Sequence, residues 1–277
     1  MGLGIIIQAR MTSTRLPGKV LKPLNLKTGE TILESTVTRA KLTKGIDKVI
    51  VACTEESSDD AIETLGDKIG VPVFRGSENN VLDRYYQATV KYEFDPIIRI
   101  TSDCPFIDPS VIFELIEFFK SGDYDYASNA INRTWPHGLD CEIFKFSALE
   151  KAVINSKTKE DLEHVTYHMY NNPESFSIGG ITLPKGEDHS KVRITVDTKE
   201  DYLLACALRD LLPERDDYSW RDIISVFENR PWLELINSKV AQKKKFIDKK
   251  EELIAAVNYL DLQEMPNAAD IIRKELE

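Results

Sequence analysis

A chain of 277 residues, 42% hydrophobic and 30% charged, can bury one large α/β core and still carry an appendage. A net charge of −10 argues against nucleic acid as a partner, since polyanion binding needs a broad basic surface, and no apolar run approaches the ~20 residues of a membrane span. The first residues lack the charged region and cleavage site of a signal peptide, and Cys53, Cys104, Cys141 and Cys206 are scattered without metal or redox spacing, so a cytoplasmic protein with reduced thiols is expected.

The apolar run 5–7 predicts a first strand, which feeds directly into QARMTSTRLPGKVLKPL (8–24). Arg10, Arg15 and Lys19 fall within ten residues there. Packed together they would repel one another, whereas a triphosphate among them would neutralise all three through charge-assisted hydrogen bonds. Pro17 and Gly18 bend the chain so that Lys19 and nearby N–H groups turn inward. The bland alternative is a solvated basic turn, but the end of a first strand is where open α/β sheets bind ligands. Val20 follows Gly18-Lys19 and no glycine lies five residues earlier, which excludes a Walker A loop. Gly2 and Gly4 precede the strand, so the dinucleotide fingerprint is absent as well.

Thr31 with Glu34 forms a capping box that starts the first helix. The β-branched runs 49–52, 71–74 and 97–101 alternate with amphipathic stretches, a pattern that predicts a parallel sheet with helices on both faces. Asp103 follows the run 97–101, at the same edge as the basic loop, where it could coordinate Mg²⁺. Cys104-Pro105 keeps the chain extended there, so capping is a weak alternative for Asp103. Asp108 and Pro109 open a helix over 110–119. Further strands are expected over 124–128, 141–146, 176–183 and 192–196.

In HGLDCE, His137, Asp140 and Glu142 cluster, and strand alternation puts Asp140 and Glu142 on one face. That excess of carboxylates disfavours a strongly anionic ligand unless Arg99, Arg133 or Arg193 balances it. His164 and His168 have the spacing of zinc ligands on a helix, but neither HExxH nor a cysteine pair accompanies them, so a ligand-binding or structural role is expected. Asp197, in TVDT, supplies a second carboxylate, with capping of the helix beginning Thr198-Lys199-Glu200-Asp201 as the alternative. After Asn237 the character changes. The lysine run 243–245 reads as a solvated helix face. Leu253, Ile254, Val257, Leu260 and Leu262 then recur at helical spacing, and Pro266 breaks the pattern before a last helix. Such a hairpin suits docking on the core or on a second copy, so a homodimer is an expectation.

The run 8–24 is followed in order by VPVFRGSENNVLDRYY (71–86), IIRITSDCPFIDP (97–109), HGLDCEIF (137–144), LEHVTYHM (162–169) and RITVDTKEDY (193–202). Together they resemble the cytidylyltransferases that activate acidic sugars, the CMP-Kdo and CMP-sialate synthetases, and most closely the spore coat polysaccharide biosynthesis proteins of the SpsF type. The resemblance implies a Rossmann-like, GT-A-like nucleotidyltransferase domain over 1–237, its mostly parallel sheet flanked by helices, and a C-terminal helical extension over 238–277. It implies some antiparallel later strands that carry an acceptor site. It also implies Mg²⁺, with Mn²⁺ as a substitute, held by Asp103 and Asp197 near the nucleotide α-phosphate. The commoner form of the family's turn has glycine where Ser102 stands.

The implied reaction is nucleotidyl transfer, in which an acceptor oxygen attacks the α-phosphorus of an NTP in line and pyrophosphate leaves. Arg15, Lys19 and Asp103 are the expected catalytic residues, with Arg15 and Lys19 on the β- and γ-phosphates and Arg10 nearer the α-phosphate. Base selection is assigned to the backbone at Ala9 and at the 52–54 strand end, including Thr54, and to the side chains of Arg75, Asp83 and Arg84. CTP is favoured by the resemblance, and a small pocket bounded by main chain suits a pyrimidine; another NTP is the alternative. The acceptor, a small sugar acid or a phosphorylated relative, is assigned to Arg99, His137, Asp140, Glu142 and His164. Two other readings stay open: a GT-A-like glycosyltransferase, with Asp123-Tyr124-Asp125 imitating its metal motif, and a non-catalytic nucleotide sensor.

Overall fold

The computed structural model describes residues 2–240 and 249–276. Strand β1 (Gly2–Gln8) is buried on both faces through Leu3, Ile5, Ile6 and Ile7, the signature of a central parallel strand. It pairs in parallel with β2 (Lys48–Thr54) on one side and β4 (Phe94–Thr101) on the other, and β3 (Val73–Gly76) extends the sheet beyond β2. Strand β6 (Glu142–Phe144) runs antiparallel to both β4 and β5 (Tyr126–Ser128), and β7 (Ile178–Gly180) closes the edge parallel to β5. The order is β3-β2-β1-β4-β6-β5-β7. Because β1, β2 and β4 point the same way, Gln8, Thr54 and Thr101 finish at one edge of the sheet.

Helices cover both faces. On one side α1 (Ile32–Lys41), α2 (Asp60–Lys68), α4 (Pro109–Lys120), α8 (Lys199–Leu211) and α9 (Trp220–Asn229) bury Leu33, Ile62, Ile112, Leu204 and Ile223 in one apolar core. On the other, α3 (Val81–Tyr92), α5 (Phe146–Asn155) and α7 (Tyr167–Tyr170) bury Leu82, Leu149 and Met169 against Ile6, Ile50 and Ile97. The short α6 (Lys159–Glu163) precedes α7. The Thr31–Glu34 capping box and the Asp108–Pro109 helix start form as expected.

The segment 192–196 is not a strand. Its Ile194 and Thr195 N–H groups bond the His137 carbonyl and its Val196 N–H bonds the Asp103 carbonyl, so its backbone bonds two loops where a strand would bond the sheet. At the C-terminus, α10 (Lys249–Leu262) and α11 (Pro266–Leu276) form a hairpin tied by Arg273 to Asp261 and Lys249 to Glu275. Of the expected apolar stripe, Val257 is buried while Ile254 and Leu262 are about half exposed. The lysine run 243–245 lies outside the described residues. Among the described residues, no helix is long and apolar enough to cross a membrane.

Candidate active site

Beyond β1, the Ala9 N–H bonds the Ala52 carbonyl (3.1 Å) and the Met11 N–H bonds Asp59 Oδ1 (2.8 Å). Asp59, fully buried, also takes the Thr54 N–H and hydroxyl at 2.8 and 2.6 Å, so one carboxylate ties the loop to the end of β2. Gly18 has φ +67, a left-handed conformation that costs glycine little, and the chain then enters a single 3₁₀ turn, Lys19–Leu21.

That turn drives Lys19 inward. Its Nζ lies 2.9 Å from Asp103 Oδ2, 2.9 Å from Asp197 Oδ1 and 2.8 Å from the Val196 carbonyl. Burial alone would lower the Lys19 pKa, but the two carboxylates outweigh it and hold the ammonium above the ordinary lysine value. Burial likewise works to raise the pKa of Asp103, and Lys19, helped by the Thr101 hydroxyl, more than reverses it. Asp197 also meets Arg15 at 3.2 Å and Arg193 at 3.3 Å. Arg193 in turn is clamped by the buried Asp201 at 2.9 and 2.8 Å. Neither aspartate caps a helix: Thr198 and Asp201 form the capping box of α8. Ser102 has no left-handed backbone, so its turn does not require glycine.

A cleft of about 370 Å³ opens on this group, and Ala9, Arg10, Arg15, Lys19, Asp103, Asp197, Arg99 and His164 all line it. Arg10 is exposed there. Next to it, a cavity of about 570 Å³ shares Arg99 and Thr101 and adds Asp140, Glu142, Tyr126, Ile131, Tyr170 and Ile178. Arg99 pairs with Glu142, which also accepts the Tyr126 hydroxyl (2.7 Å) and the Thr166 hydroxyl (2.6 Å). Burial, countered by Arg99 and these hydroxyls, leaves Glu142 below the usual carboxylate range. Arg133 grips Asp140 through both terminal nitrogens.

His137 lines neither space. Its Nδ1 lies 3.2 Å from an Arg193 nitrogen and its Nε2 3.7 Å from Asp140, so it stands between the two carboxylate groups. Burial, reinforced by Arg133 and Arg193, lowers its pKa despite Asp140. Gly138, at φ +118, makes that junction: a Cβ there would fall 2.6 Å from the Thr195 nitrogen.

Four residues assigned to the base do not line this cleft. Thr54 is taken by Asp59, and Arg75 donates to Asp60, Glu63 and the Thr54 and Glu56 carbonyls. Asp83 and Arg84 line a separate groove with Arg75. Arg84 is 1% exposed, and among the described residues none of its three guanidinium nitrogens has a hydrogen-bond partner. The zinc spacing also dissolves, because α6 ends before His164 and His168 belongs to α7, facing Asp161 at 3.7 Å. Asp123 is exposed and bonded to Lys145, away from the cleft.

Gln8 and Glu163 line the cleft without having been singled out, as Tyr126 and Tyr170 line the adjoining cavity. The capping pattern TKED was the available signal for Asp201, though not for its grip on Arg193. As a metal site, Asp103, Asp197 and the Val196 carbonyl offer hard oxygens converging on one point, a donor set that fits Mg²⁺ or Mn²⁺. Among the described residues, no group of three or more His, Cys, Asp or Glu side chains gathers as a metal site, so substrate oxygens and water would complete the coordination.

The pattern of the family described as Cytidylyltransferase matches residues 4–254. An uncharacterized protein of Methanocaldococcus jannaschii is 40% identical over 86% of this chain and 95% of its own length. The spore coat polysaccharide biosynthesis protein SpsF of Bacillus subtilis is 36% identical over 82% and 94%. A cytidylyltransferase from Leptospira borgpetersenii superimposes with a TM-score of 0.79 at 35% identity, covering 89% of this chain and 99% of that one.

Proposed function

The chain belongs to the cytidylyltransferase family, and on that premise we propose that it transfers CMP from CTP to a sugar acid or closely related acceptor, releasing pyrophosphate, for a surface polysaccharide or glycan precursor. The observation that carries this reading is the meeting of Arg15 and Lys19 with Asp103 and Asp197 where β1 and β4 end. An acceptor oxygen attacks the α-phosphorus, the bond to the bridging oxygen breaks, and the electron pair leaves on pyrophosphate. Arg15 and Lys19 hold the β- and γ-phosphates, and Arg10 lies nearer the α-phosphate. Asp103 and Asp197 would hold Mg²⁺ or Mn²⁺, which neutralises charge on the transferring and leaving groups.

Arg75 spends its donors on Asp60, Glu63 and two carbonyls. The base stays assigned to main chain around Ala9 and 52–54, although the Ala9 N–H and the Thr54 N–H already have partners, and to Arg84, one helical turn from the cleft-lining Val81, whose buried guanidinium has donors to spare. The cavity beside the cleft takes the acceptor. There the Arg99–Glu142 and Arg133–Asp140 pairs keep the charge nearly balanced, and Tyr126, Ile131 and Tyr170 supply an apolar wall for a sugar ring. His137 and His164 flank these spaces. The catalytic unit is residues 1–237, with 238–277 as a helical extension that could serve a homodimer. The four free cysteines suit the reducing cytoplasm.

Incubation with each NTP, Mg²⁺ and a panel of sugar acids and sugar phosphates tests this. Pyrophosphate release that depends on CTP and a sugar acid is expected. Release of a free nucleoside mono- or diphosphate from a sugar nucleotide, without NTP, would replace the reading with glycosyl transfer.

A further inference from the structure

We propose that Lys19 has a second role: it is the counter-ion that holds Asp103 and Asp197 together until a divalent cation arrives with the triphosphate, so that ammonium and metal compete for one place. This rests on the metal and phosphate assignments above. An ammonium has three donors, and Lys19 Nζ has three oxygen acceptors, Asp103 Oδ2, Asp197 Oδ1 and the Val196 carbonyl, all at 2.8–2.9 Å. These are the same oxygens that make a fitting donor set for Mg²⁺. A metal bound to them would stand about 2.1 Å from each, in the space the ammonium fills, so both cannot be there at once.

The geometry also supplies the exchange. Lys19 lines the cleft where the phosphates would lie, and its four-carbon stem can carry the charge from carboxylates to phosphate oxygens. Asp197 keeps Arg15 and Arg193 as partners when Lys19 leaves, and Arg193 stays fixed by Asp201. Asp103 has no ion-pair partner except Lys19 among the described residues, so it is the carboxylate that changes partner. Metal binding is then conditional on nucleotide: the triphosphate must draw Lys19 away before the site can accept a divalent ion. Bound alone, a metal would leave a buried ammonium beside it without compensation.

The test measures Mn²⁺ retained by the full-length protein in equilibrium dialysis, with and without CTP and without acceptor. Native protein should bind Mn²⁺ weakly alone and tightly with CTP, and Asp103→Asn should lose the tight site. Lys19→Met should raise the affinity for Mn²⁺ alone by about tenfold or more, because a positive charge roughly 3 Å away has gone. Lys19→Arg, which keeps the charge, should not. A Lys19→Met protein that binds Mn²⁺ alone no better than native would overturn the proposal. Should that variant fail to fold, native protein decides: an Mn²⁺ site equally tight with and without CTP, and removed by Asp103→Asn, overturns it. If Asp103→Asn leaves binding with CTP unchanged, the metal assignment fails and this inference falls with it.

Discussion

Arg15 is the residue whose loss should separate catalysis from folding. Its side chain is 38% exposed and touches Asp197 at 3.2 Å, so Arg15→Ala should cost little stability. A phosphate contact that strengthens as pyrophosphate leaves is worth on the order of 2–4 kcal/mol in the transition state. A kcat lowered at least about thirtyfold with an unchanged melt is therefore expected. Arg84 makes the opposite kind of prediction. A buried guanidinium with no partner destabilises the protein unless a ligand needs it, so Arg84→Met should raise the melting temperature while weakening the thermal shift given by CTP. A higher melt with full CTP response would remove Arg84 from the base site. His137 supplies a pH dependence. Its folded pKa lies below the ordinary ~6.5, so the unfolded chain takes up the proton first. The stability it contributes is complete above pH ~6.5 and is lost as pH falls toward the folded value. Denaturant melts at pH 7 and pH 5 should show a smaller decline in His137→Gln than in native protein. Lys19, Asp103 and Asp197 were legible because short motifs carry them, and so were Asp140 and Glu142. Asp59 was not, because a carboxylate that bonds residues five and 48 positions away leaves no local pattern. The partners of Thr54 and Arg75 are visible only after folding for the same reason.

The helix start at Thr198 separates two functions that lie three residues apart. Thr198 caps α8, and Thr198→Ala should cost about 1 kcal/mol of stability with activity kept. Asp201 completes the same capping box, but it also holds Arg193, which positions Asp197. Asp201→Ala should cost more, about 3 kcal/mol or above, because it leaves a buried arginine short of its partner, and turnover should fall too. Denaturation curves beside kcat for the two variants check this. Elements whose apolar pattern repeats were readable, as with β1, β2 and β4 and the capped helices. The segment 192–196 has the composition of a strand yet bonds loops at 103 and 137, since partner choice depends on which backbone groups tertiary packing brings near.

For the molecule as a whole, the exposed test is nucleotide choice after removal of the C-terminal hairpin. CTP with Mg²⁺ should raise the melting temperature more than GTP, ATP or UTP, because buried groups left unpaired penalise a wrong base. Truncation before Lys239 keeps Asn237, whose side chain donates to Asp201 and to the Arg193 carbonyl, so the preference should survive. A folded, truncated protein that lost it would place α10 or α11 in the active site. The parallel sheet and the edge where the cleft opens were readable from alternating patterns, whereas the docking of α10 on α11 was only half so, because the stripe from Leu253 to Leu262 leaves Ile254 and Leu262 exposed.

The pairing of Lys19 with Val196 and Asp197 has a consequence for the way this protein is made. The two partners lie 177 and 178 residues after Lys19, and Asn237 braces the same network from farther still. On a ribosome, the loop carrying Lys19 would emerge early and wait, its cation without the Asp197 counter-charge, until nearly the whole catalytic unit had been synthesised. The early sheet can pair β1 with β2 and β4, yet no nascent fragment ending before Asp197 contains a complete centre. Nucleotide capture is thus deferred until Asp197 has been made, and a chain terminated before it would carry no partial activity.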